Sequence, residues 1–370
     1  MARIITITSG KGGVGKTCLS LNLSLSLASQ GFKVCLFDAD LGTANVNILT
    51  GIYPDKDLGD VISGQFSLDE IIIKNYQGID IIPGSSGVEQ MTQLSRTRAG
   101  TLISAFLELE DYDYFIFDTS AGISSQVLSF CMASHEIILV VTCEPTSLTD
   151  AYSMLKVLSK NRYSGPVRVV VNQVKSAPGA KKAYTRLKKT TEKFLNIKMQ
   201  PLGIVASDKN VRAAVIAQTP FFMIFPDSPA SRCISAITSR LTGTPGMRSD
   251  IPLEIFWDRC LSFMNRYTNP KTKNKDSAEN PEKESSSSEY IQLRSSLASI
   301  ESKLSMLTKE MADIRAMISN ITDNSGRSET LNTGPVPEPS TTPEPEKICL
   351  DFESWLDRHN PDHADSTAVQ

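Results

Sequence analysis

The sequence predicts an α/β fold in which a mostly parallel sheet carries helices on both faces. Three observations lead to this prediction. Short, β-branched apolar runs recur through residues 1–242, and between most of them lies a stretch of about 12–20 residues with helical spacing. Such alternation implies crossover connections, which place successive strands parallel. The runs are apolar throughout instead of alternating with polar residues, which is typical of strands covered on both faces.

The apolar runs define the strands and the extent of the globular domain. They stop after Gly243, so we expect one domain over residues 1–242. The predicted strands are residues 4–8, 33–37, 79–82, 114–117, 137–141, 167–171 and 202–205.

Composition excludes several classes of protein. The 370 residues carry a formal charge of -3, which gives no overall attraction to nucleic acid or anionic membrane. Seven scattered cysteines, none paired as C-x-x-C, and three histidines argue against zinc sites and against a secreted disulfide framework. The N-terminus is not a signal peptide, and no run of ~18 apolar residues occurs. We therefore expect a reduced, cytoplasmic protein.

The chain beyond residue 249 is predicted to be modular. Apolar residues from Tyr290 to Ile321 alternate spacings of three and four, which indicates a coiled coil. The segments before and after it contain few apolar residues. The predicted order is an amphipathic helix at 250–267, a linker at 268–288, the coiled coil at 289–322, a disordered Pro/Ser/Thr/Glu-rich linker at 323–347, and a docking segment and tail at 348–370.

A glycine-rich loop follows the first strand and opens the first helix. It fits G-x-x-x-x-G-K-[ST], a pattern whose backbone N–H groups and helix dipole bind phosphates. Lys16 is then expected to reach the β- and γ-phosphates, and the Thr17 hydroxyl to bind Mg²⁺. The residues expected to contact the nucleotide here are Gly10, Lys11, Gly12, Gly13, Val14, Gly15, Lys16, Thr17 and Cys18.

The second lysine of the loop, Lys11, makes the motif more specific. The run from Lys11 to Thr17 resembles the deviant Walker A motif of the MinD/ParA ATPases. That resemblance implies that Lys11 acts across a dimer interface on the partner's phosphates, like an arginine finger. It also implies a slow, partner-stimulated ATPase that uses ATP and Mg²⁺ and forms a homodimer when ATP is bound.

Three carboxylates follow predicted strands. Asp38 and Asp40 lie two apart at a strand end and project the same way, so one can hold Mg²⁺ through water while the other orients an attacking water. Asp118 ends the apolar run of a Walker B strand and is expected to serve the metal. The resemblance assigns the catalytic water to Asp40, with Lys11 and Lys16 as the other catalytic residues, and the outer shell of the metal to Asp38.

The resemblance also implies an adenine pocket and a branch of the family. Asn172 matches the asparagine that reads adenine, and Asp208 lies in the segment that closes over the base. The runs 38–47 and 144–152 resemble the flagellar-number regulators FlhG and FleN. Those regulators begin with a segment that activates a partner GTPase. Here the first strand starts at Ala2 or Arg3, so we expect no such segment.

Several surfaces are predicted to meet partners. The apolar face of residues 250–267 could enter the inner face of the cell membrane, bind a protein, or pack on its own domain. The coiled coil or the C-terminal segment is expected to bind a protein partner. Residues 175–198 contain eight basic residues and one acid, so contact with DNA is a further alternative, although a solvated helix face is commoner.

The leading hypothesis is an ATP-dependent dimerising switch that controls the position or number of a polar or membrane-associated structure, above all the flagellum. A second hypothesis is a ParA-like partitioning ATPase acting on DNA or another cargo. A third is a coiled-coil adaptor with a vestigial nucleotide site, against which the intact Lys11, Lys16, Thr17, Asp40 and Asp118 argue.

Overall fold

The computed structural model describes residues 2–40, 45–84, 96–109, 112–195, 197–243, 252–268 and 348–356, the last without 350 and 353. All of them belong to one compact unit, residues 1–270 with 342–370. The second unit, residues 271–341, lies outside the described residues, and so do the predicted coiled coil, the disordered linker and nearly all of the linker before the coiled coil.

An eight-stranded sheet forms the centre of the described unit. Its order is β3-β4-β2-β5-β1-β6-β7-β8, and all neighbouring pairs are parallel except β3 with β4. Each predicted strand is present, which confirms the mostly parallel α/β fold. The strands are β1 Arg3–Ser9, β2 Val34–Ala39, β3 Ile73–Tyr76, β4 Ile79–Ile82, β5 Tyr114–Ala121, β6 Glu136–Val141, β7 Val167–Val174 and β8 Met199–Ala206.

The sequence prediction missed β3, the antiparallel edge strand. Its sequence is IKNY, and its central two residues are exposed, so no apolar run marks it. A tight hairpin joins it to β4, with Gln77 and Gly78 both at positive φ. Edge strands of this kind depend on their neighbour more than on their own composition.

Helices cover both faces of the sheet, as predicted. Two buried clusters of apolar side chains lie on the sheet, one rich in leucine from α1 and the other rich in phenylalanine. The helices are α1 Lys16–Ser29, α2 Asn45–Thr50, α3 Leu58–Ser63, α4 Leu68–Ile71, α5 Arg96–Leu107, α6 Ser125–Ala133, α7 Pro145–Lys160, α8 Ala177–Phe194, α9 Lys209–Ile216, α10 Phe221–Ile224, α11 Pro229–Thr242 and α12 Leu253–Thr268.

Helix α12 is the predicted amphipathic helix, and its apolar face is buried on its own domain against α5 and α6. The Trp257 side chain is 1% exposed and its ring stacks on Phe106, with ring centroids 4.1 Å apart. Of the three alternatives for this helix, the described conformation is therefore the one packed on the domain. A membrane or a partner can reach the apolar face only after α12 detaches. Among the described residues, no helix combines the length and hydropathy needed to cross a bilayer.

The C-terminal segment docks on the same unit. Phe352 and Leu356 are buried, and a disulfide joins Cys349 to Cys233 of α11. This disulfide corrects the expectation that every cysteine stays reduced. Cys233 and Cys349 are 116 residues apart in the sequence, with no local signal that they pair. Folding of the tail onto α11 brings them together.

Candidate functional site

The candidate site lies at the carboxyl ends of β1, β2 and β5, where ligands of open α/β sheets bind. The glycine-rich loop leaves β1 and enters α1 at Lys16. Asp38 of β2 and Asp118 of β5 are register partners on adjacent strands. The order of the strands thus brings the loop together with Asp38 and Asp118, and Asp40 lines the same cavity.

Two glycines of the loop are required by its geometry. Gly15 caps α1 at a φ of 91°, a conformation that residues with a Cβ rarely adopt. A Cβ on Gly10 would lie 2.2 Å from the backbone carbon of Asp150 in α7. Only glycine allows α7 to approach the loop this closely, so the spacing of the motif reflects tertiary packing as well as phosphate binding.

Lys16 lies inside the site. Its residue is 7% exposed, and burial lowers the pKa of its amine, while the charges of Asp118 and Asp40 oppose that change. A partly desolvated ammonium beside the loop amides attracts phosphate more strongly than one in bulk water. This is the position that the motif predicts for it.

Asp118 has the properties of a magnesium-binding group. Burial raises its pKa to about 6, and the hydroxyls of Thr17 and Ser20 and the charge of Lys16 limit that rise. Ser20 Oγ donates to Asp118 Oδ1 at 2.8 Å. Asp118 Oδ2 is buried and accepts no hydrogen bond of normal geometry from the described residues. A buried carboxylate oxygen left in this way beside a threonine hydroxyl fits a hydrated Mg²⁺.

Asp38 and Asp40 differ in environment. Asp38 is buried, and its pKa is raised well above its usual range by burial and then by the Asp118 charge. Asp40 is half-buried and lines the nucleotide cavity, and its amide donates to Asp38 Oδ1 at 3.2 Å. The two carboxylates therefore suit different tasks. Asp38 is buried beside Asp118, and Asp40 faces the cavity.

Lys11 is held at the outer rim of the site. Its amine donates to the Glu144 carboxylate at 2.7 Å and to the Thr146 hydroxyl at 2.9 Å, and its side chain is 37% exposed. Hydrogen bonding and charge from Lys11 lower the pKa of the exposed Glu144. The sequence reasoning did not assign these two partners to Lys11, although both lie in the 144–152 run that carries the family resemblance.

Asn172 lies under the loop. Its side-chain amide donates to the Val14 carbonyl at 2.8 Å, and a Cβ on Gly15 would meet the same nitrogen at 2.4 Å. Gln173 Nε2 also donates to the Gly13 carbonyl, at 3.2 Å. In this conformation Asn172 supports the loop, and its reading of adenine stays a prediction.

Asp208 ties two helices together. It caps α9 by accepting from the Asn210 amide at 2.9 Å, and it accepts from the Ala230 amide at the start of α11 at 3.2 Å. Asp208, the last residue of the segment 204–208 that is predicted to close over the base, therefore holds the start of α9 to the start of α11. Whether Asp208 also contacts a base stays a prediction.

A cavity of about 500 Å³ occupies the site. Most predicted loop residues line it, whereas Val14 points into the core. Burial raises the pKa of the Cys18 thiol to about 12, so Cys18 lines the cavity as a neutral group. The lining residues are Gly12, Gly13, Gly15, Lys16, Thr17, Cys18, Asp40, Ile48, Leu49, Ala121 and Val215.

Comparison with known proteins agrees with this geometry. A family model described as an AAA domain matches residues 2–164. The antiactivator FleN of Pseudomonas aeruginosa is 40% identical over 244 residues, which cover 66% of this chain and 87% of FleN. The chain belongs to the MinD/ParA family of P-loop ATPases. Its described unit is therefore an ATPase domain, and the adaptor hypothesis with a vestigial site is set aside.

Two further relatives place the domain within this family. The flagellum site-determining protein YlxH of Helicobacter pylori is 32% identical, and the match covers 71% of this chain and 90% of YlxH. The MinC:MinD cell division protein complex of Aquifex aeolicus contains a chain with a TM-score of 0.52 and 25% identity, and the match covers 68% of this chain and 98% of that one.

The raised pKa of Asp118 predicts how metal binding depends on pH. A carboxyl group with a pKa of about 6 is protonated below that pH, and Mg²⁺ must then displace the proton. We expect the affinity for Mg²⁺–nucleotide to fall about tenfold per pH unit below about pH 6, measured with a fluorescent nucleotide. The same titration in EDTA reports the protonation of the nucleotide itself. Equal pH profiles with and without Mg²⁺ would remove Asp118 from the metal site.

Proposed function

We propose that this ATPase is a switch between a monomer and a face-to-face homodimer that forms with ATP and Mg²⁺. The position of Lys11 supports the proposal most directly. Lys16 already supplies a cation inside the cavity, while Lys11 is held at the exposed rim by Glu144 and Thr146. A rim lysine paired with an exposed carboxylate can exchange that partner for the phosphates of a second copy at small cost.

The chain's own residues supply the remaining roles. Lys16 and the loop amides hold the β- and γ-phosphates, and Asp40 at the cavity wall orients the attacking water. The Thr17 hydroxyl, with Asp118 and Asp38 through water, would hold Mg²⁺, which neutralises phosphate charge during transfer. Lys11 of the second copy adds positive charge to the same phosphates.

Removing Lys11 tests the dimer directly. We expect Lys11→Ala to bind ATP but to remain monomeric by light scattering with ATP. Glu144→Gln, which weakens the rim contact of Lys11, is expected to dimerise at up to about thirtyfold lower protein concentration, because each dimer breaks two exposed ion pairs and each contributes only ~0.2–1 kcal/mol.

Glu192→Gln is the matched control, because Glu192 makes another exposed ion pair, with Lys188 on α8. It is expected to behave like the unmodified chain. An ATP-dependent dimer of Lys11→Ala would contradict the proposal, whatever the behaviour of the two glutamine variants.

The cellular role that we propose is control of the position or number of the flagellum. The relatives named antiactivator FleN and flagellum site-determining protein YlxH support it. Replacing the natural chain by Lys11→Ala in its own cell is then expected to change the number or placement of flagella. Unchanged flagella, with the dimer lost in vitro, would restrict the proposal to the biochemical switch.

We further propose that α12 leaves its groove and binds the membrane surface when the dimer forms. The Trp257 indole N–H supports this, because it is buried and has no acceptor among the described residues. Buried indoles usually have an acceptor, whereas at a membrane interface the N–H reaches water or lipid headgroups. In the buried position of α12, the Trp257 indole N–H thus lacks an acceptor among the described residues. Release of the helix would give it one.

A designed cross-link tests this release. Cys260 Sγ of α12 lies 3.4 Å from Ser129 Oγ of α6, so Ser129→Cys should permit a disulfide between the helices. We expect the oxidised variant to lose ATP-dependent sedimentation with anionic vesicles and to recover it after reduction. Ser129→Cys combined with Cys260→Ser cannot cross-link and serves as the control. Vesicle binding by the locked protein would show that α12 is not the anchor.

DNA partitioning is the second candidate function. It is supported by the amphipathic α8, which turns its lysines outward and buries Ala180, Tyr184 and Leu187. Binding to DNA that falls steeply with added salt would favour this candidate. Vesicle binding that is insensitive to salt would favour the first.

A further inference from the structure

The C-terminal segment, residues 348–356, packs on the surface formed by α8 and α11. Ile348, Phe352 and Leu356 are buried in the same apolar cluster as the helices of the ATPase domain. The Trp355 ring lies edge-on to Tyr184 of α8, with centroids 6.0 Å apart, and the Lys181 amine lies 6.0 Å from the Trp355 centroid. The segment therefore occupies a built site with aromatic, aliphatic and cationic contacts.

Its attachment to α11 is at the first turns of that helix. The Cys349 sulfur is bonded to Cys233 and lies 4.0 Å from the Pro229 carbonyl, where α11 begins. The bond closes a loop that contains the whole predicted linker and coiled coil. Docking of the described residues of this segment thus attaches the C-terminal end of that loop to α11.

The same turn of α11 is fastened to the segment that flanks the nucleotide cavity. The Ala230 amide donates to Asp208, which also caps α9, and Val215 of α9 lines the cavity. Ser231 Oγ donates to the Phe225 carbonyl at 2.7 Å, which holds the end of α10 to α11. A contact that restricts motion of the first turn of α11 therefore also restricts motion of α9 and α10.

We propose that residues 348–356 are a releasable clamp on α9, closed and opened by thiol–disulfide exchange between Cys233 and Cys349. The occupant of the site is the chain's own tail. When fastened, the clamp limits opening of α9 over the cavity and slows nucleotide release. The inference about release rests on the proposed nucleotide site, whereas the docking and the disulfide do not.

The chemistry balances with a small disulfide such as oxidised glutathione as the oxidant. The thiolate of Cys349, exposed when the tail is undocked, attacks that disulfide, forms a mixed disulfide and releases one thiol. After docking, the Cys233 thiolate attacks the Cys349 sulfur, forms the internal bond and releases the second thiol. Two protein thiols are oxidised and one external disulfide is reduced. A dithiol reverses both steps. Disulfides in cytoplasmic proteins are usually of this transient, redox-sensing kind.

Peptide mapping of the full-length protein in glutathione buffers tests the clamp. We expect a Cys233–Cys349 peptide within a monomer and none for Cys349→Ser, while Cys143→Ser, at an exposed cysteine, leaves it unchanged. Trp355→Ala should require about tenfold more oxidant for the same yield, because the docked aromatic contact is lost. Alkylation of both cysteines as fast as in unfolded protein, or a cross-link only between two copies, would overturn docking of the tail on its own domain.

Nucleotide release provides the second measurement. With a fluorescent nucleotide, release from the oxidised chain should be roughly fivefold slower than from the reduced chain, the lower end of usual coupling between sites. Cys349→Ser should release nucleotide as fast as the reduced chain does, in both buffers. Equal rates with the cross-link present would overturn the coupling to the cavity. Lys16→Ala, expected to bind nucleotide at least about 30-fold more weakly, should still form the cross-link, so failure of the nucleotide site and failure of the clamp are distinguishable.

Discussion

Lys16→Ala is expected to lower nucleotide affinity by roughly 2–5 kcal/mol, or about 30-fold to several thousand-fold, because it removes one partner from a buried charge pair. The Lys16 amine is the cation inside the cavity, and burial has already stripped much of its water. Its loss would leave the phosphates with only backbone dipoles and the metal. Titration with a fluorescent ATP analogue in Mg²⁺ measures the effect.

The folding of this variant should not suffer. A buried amine costs free energy when no phosphate is bound, so its removal is expected to leave thermal stability unchanged or slightly higher. Lys11→Ala is the matched control, because Lys11 lies at the rim and its loss should leave binding of a single nucleotide intact. An affinity of Lys16→Ala within about fivefold of the unmodified chain, or less than ~1 kcal/mol lost, with a normal melting curve, would reject the assignment of the phosphate-binding loop.

Trp257→Ala is expected to be the most destabilising single change, by ~3–5 kcal/mol, because it opens a cavity in the phenylalanine-rich cluster. The indole contacts the rings of Phe37, Phe106, Phe117 and Phe130, at centroid distances of 4.1 to 6.2 Å. Urea unfolding of the full chain, followed by far-UV circular dichroism, measures the loss.

Ile255→Ala on the same helix is the control. Ile255 is 42% exposed, so its removal should change stability by no more than ~0.5 kcal/mol. If Trp257→Ala also costs less than about 1 kcal/mol, then α12 does not rest on the domain in solution. The membrane or partner alternative would then describe its resting state.

The loop and the central strands could be predicted from the sequence because their signals are local. The signal of the loop lies within a few consecutive residues. It consists of an apolar run, then a glycine at a positive φ, then a lysine at the next position. The edge strand β3 could not, since its four residues carry no apolar run and pair only because β4 folds back beside them. The contact of Lys11 with Glu144 spans 133 residues and has no local signal.

For the amphipathic helix α12, the periodicity of the sequence predicts an apolar face but not what covers that face. A face with Phe256, Trp257 and Met264 must be buried somewhere, but its spacing is the same for a membrane, a partner or its own domain. In the folded chain, this face packs in the groove between α5 and α6, because the groove presents aromatic rings that fit it. The tail is similar, since its aromatic pair predicted docking but not the site on α8 and α11.

The sequence by itself therefore determined the α/β class, the phosphate loop and the carboxylates at the strand ends, because backbone geometry and hydrophobic period are encoded over a few residues. Tertiary structure alone decided which side chains hold Lys11, what covers α12, and which distant cysteines meet. These outcomes depend on complementary surfaces and on pairing of groups far apart in the chain, and such contacts exist only once the chain has folded.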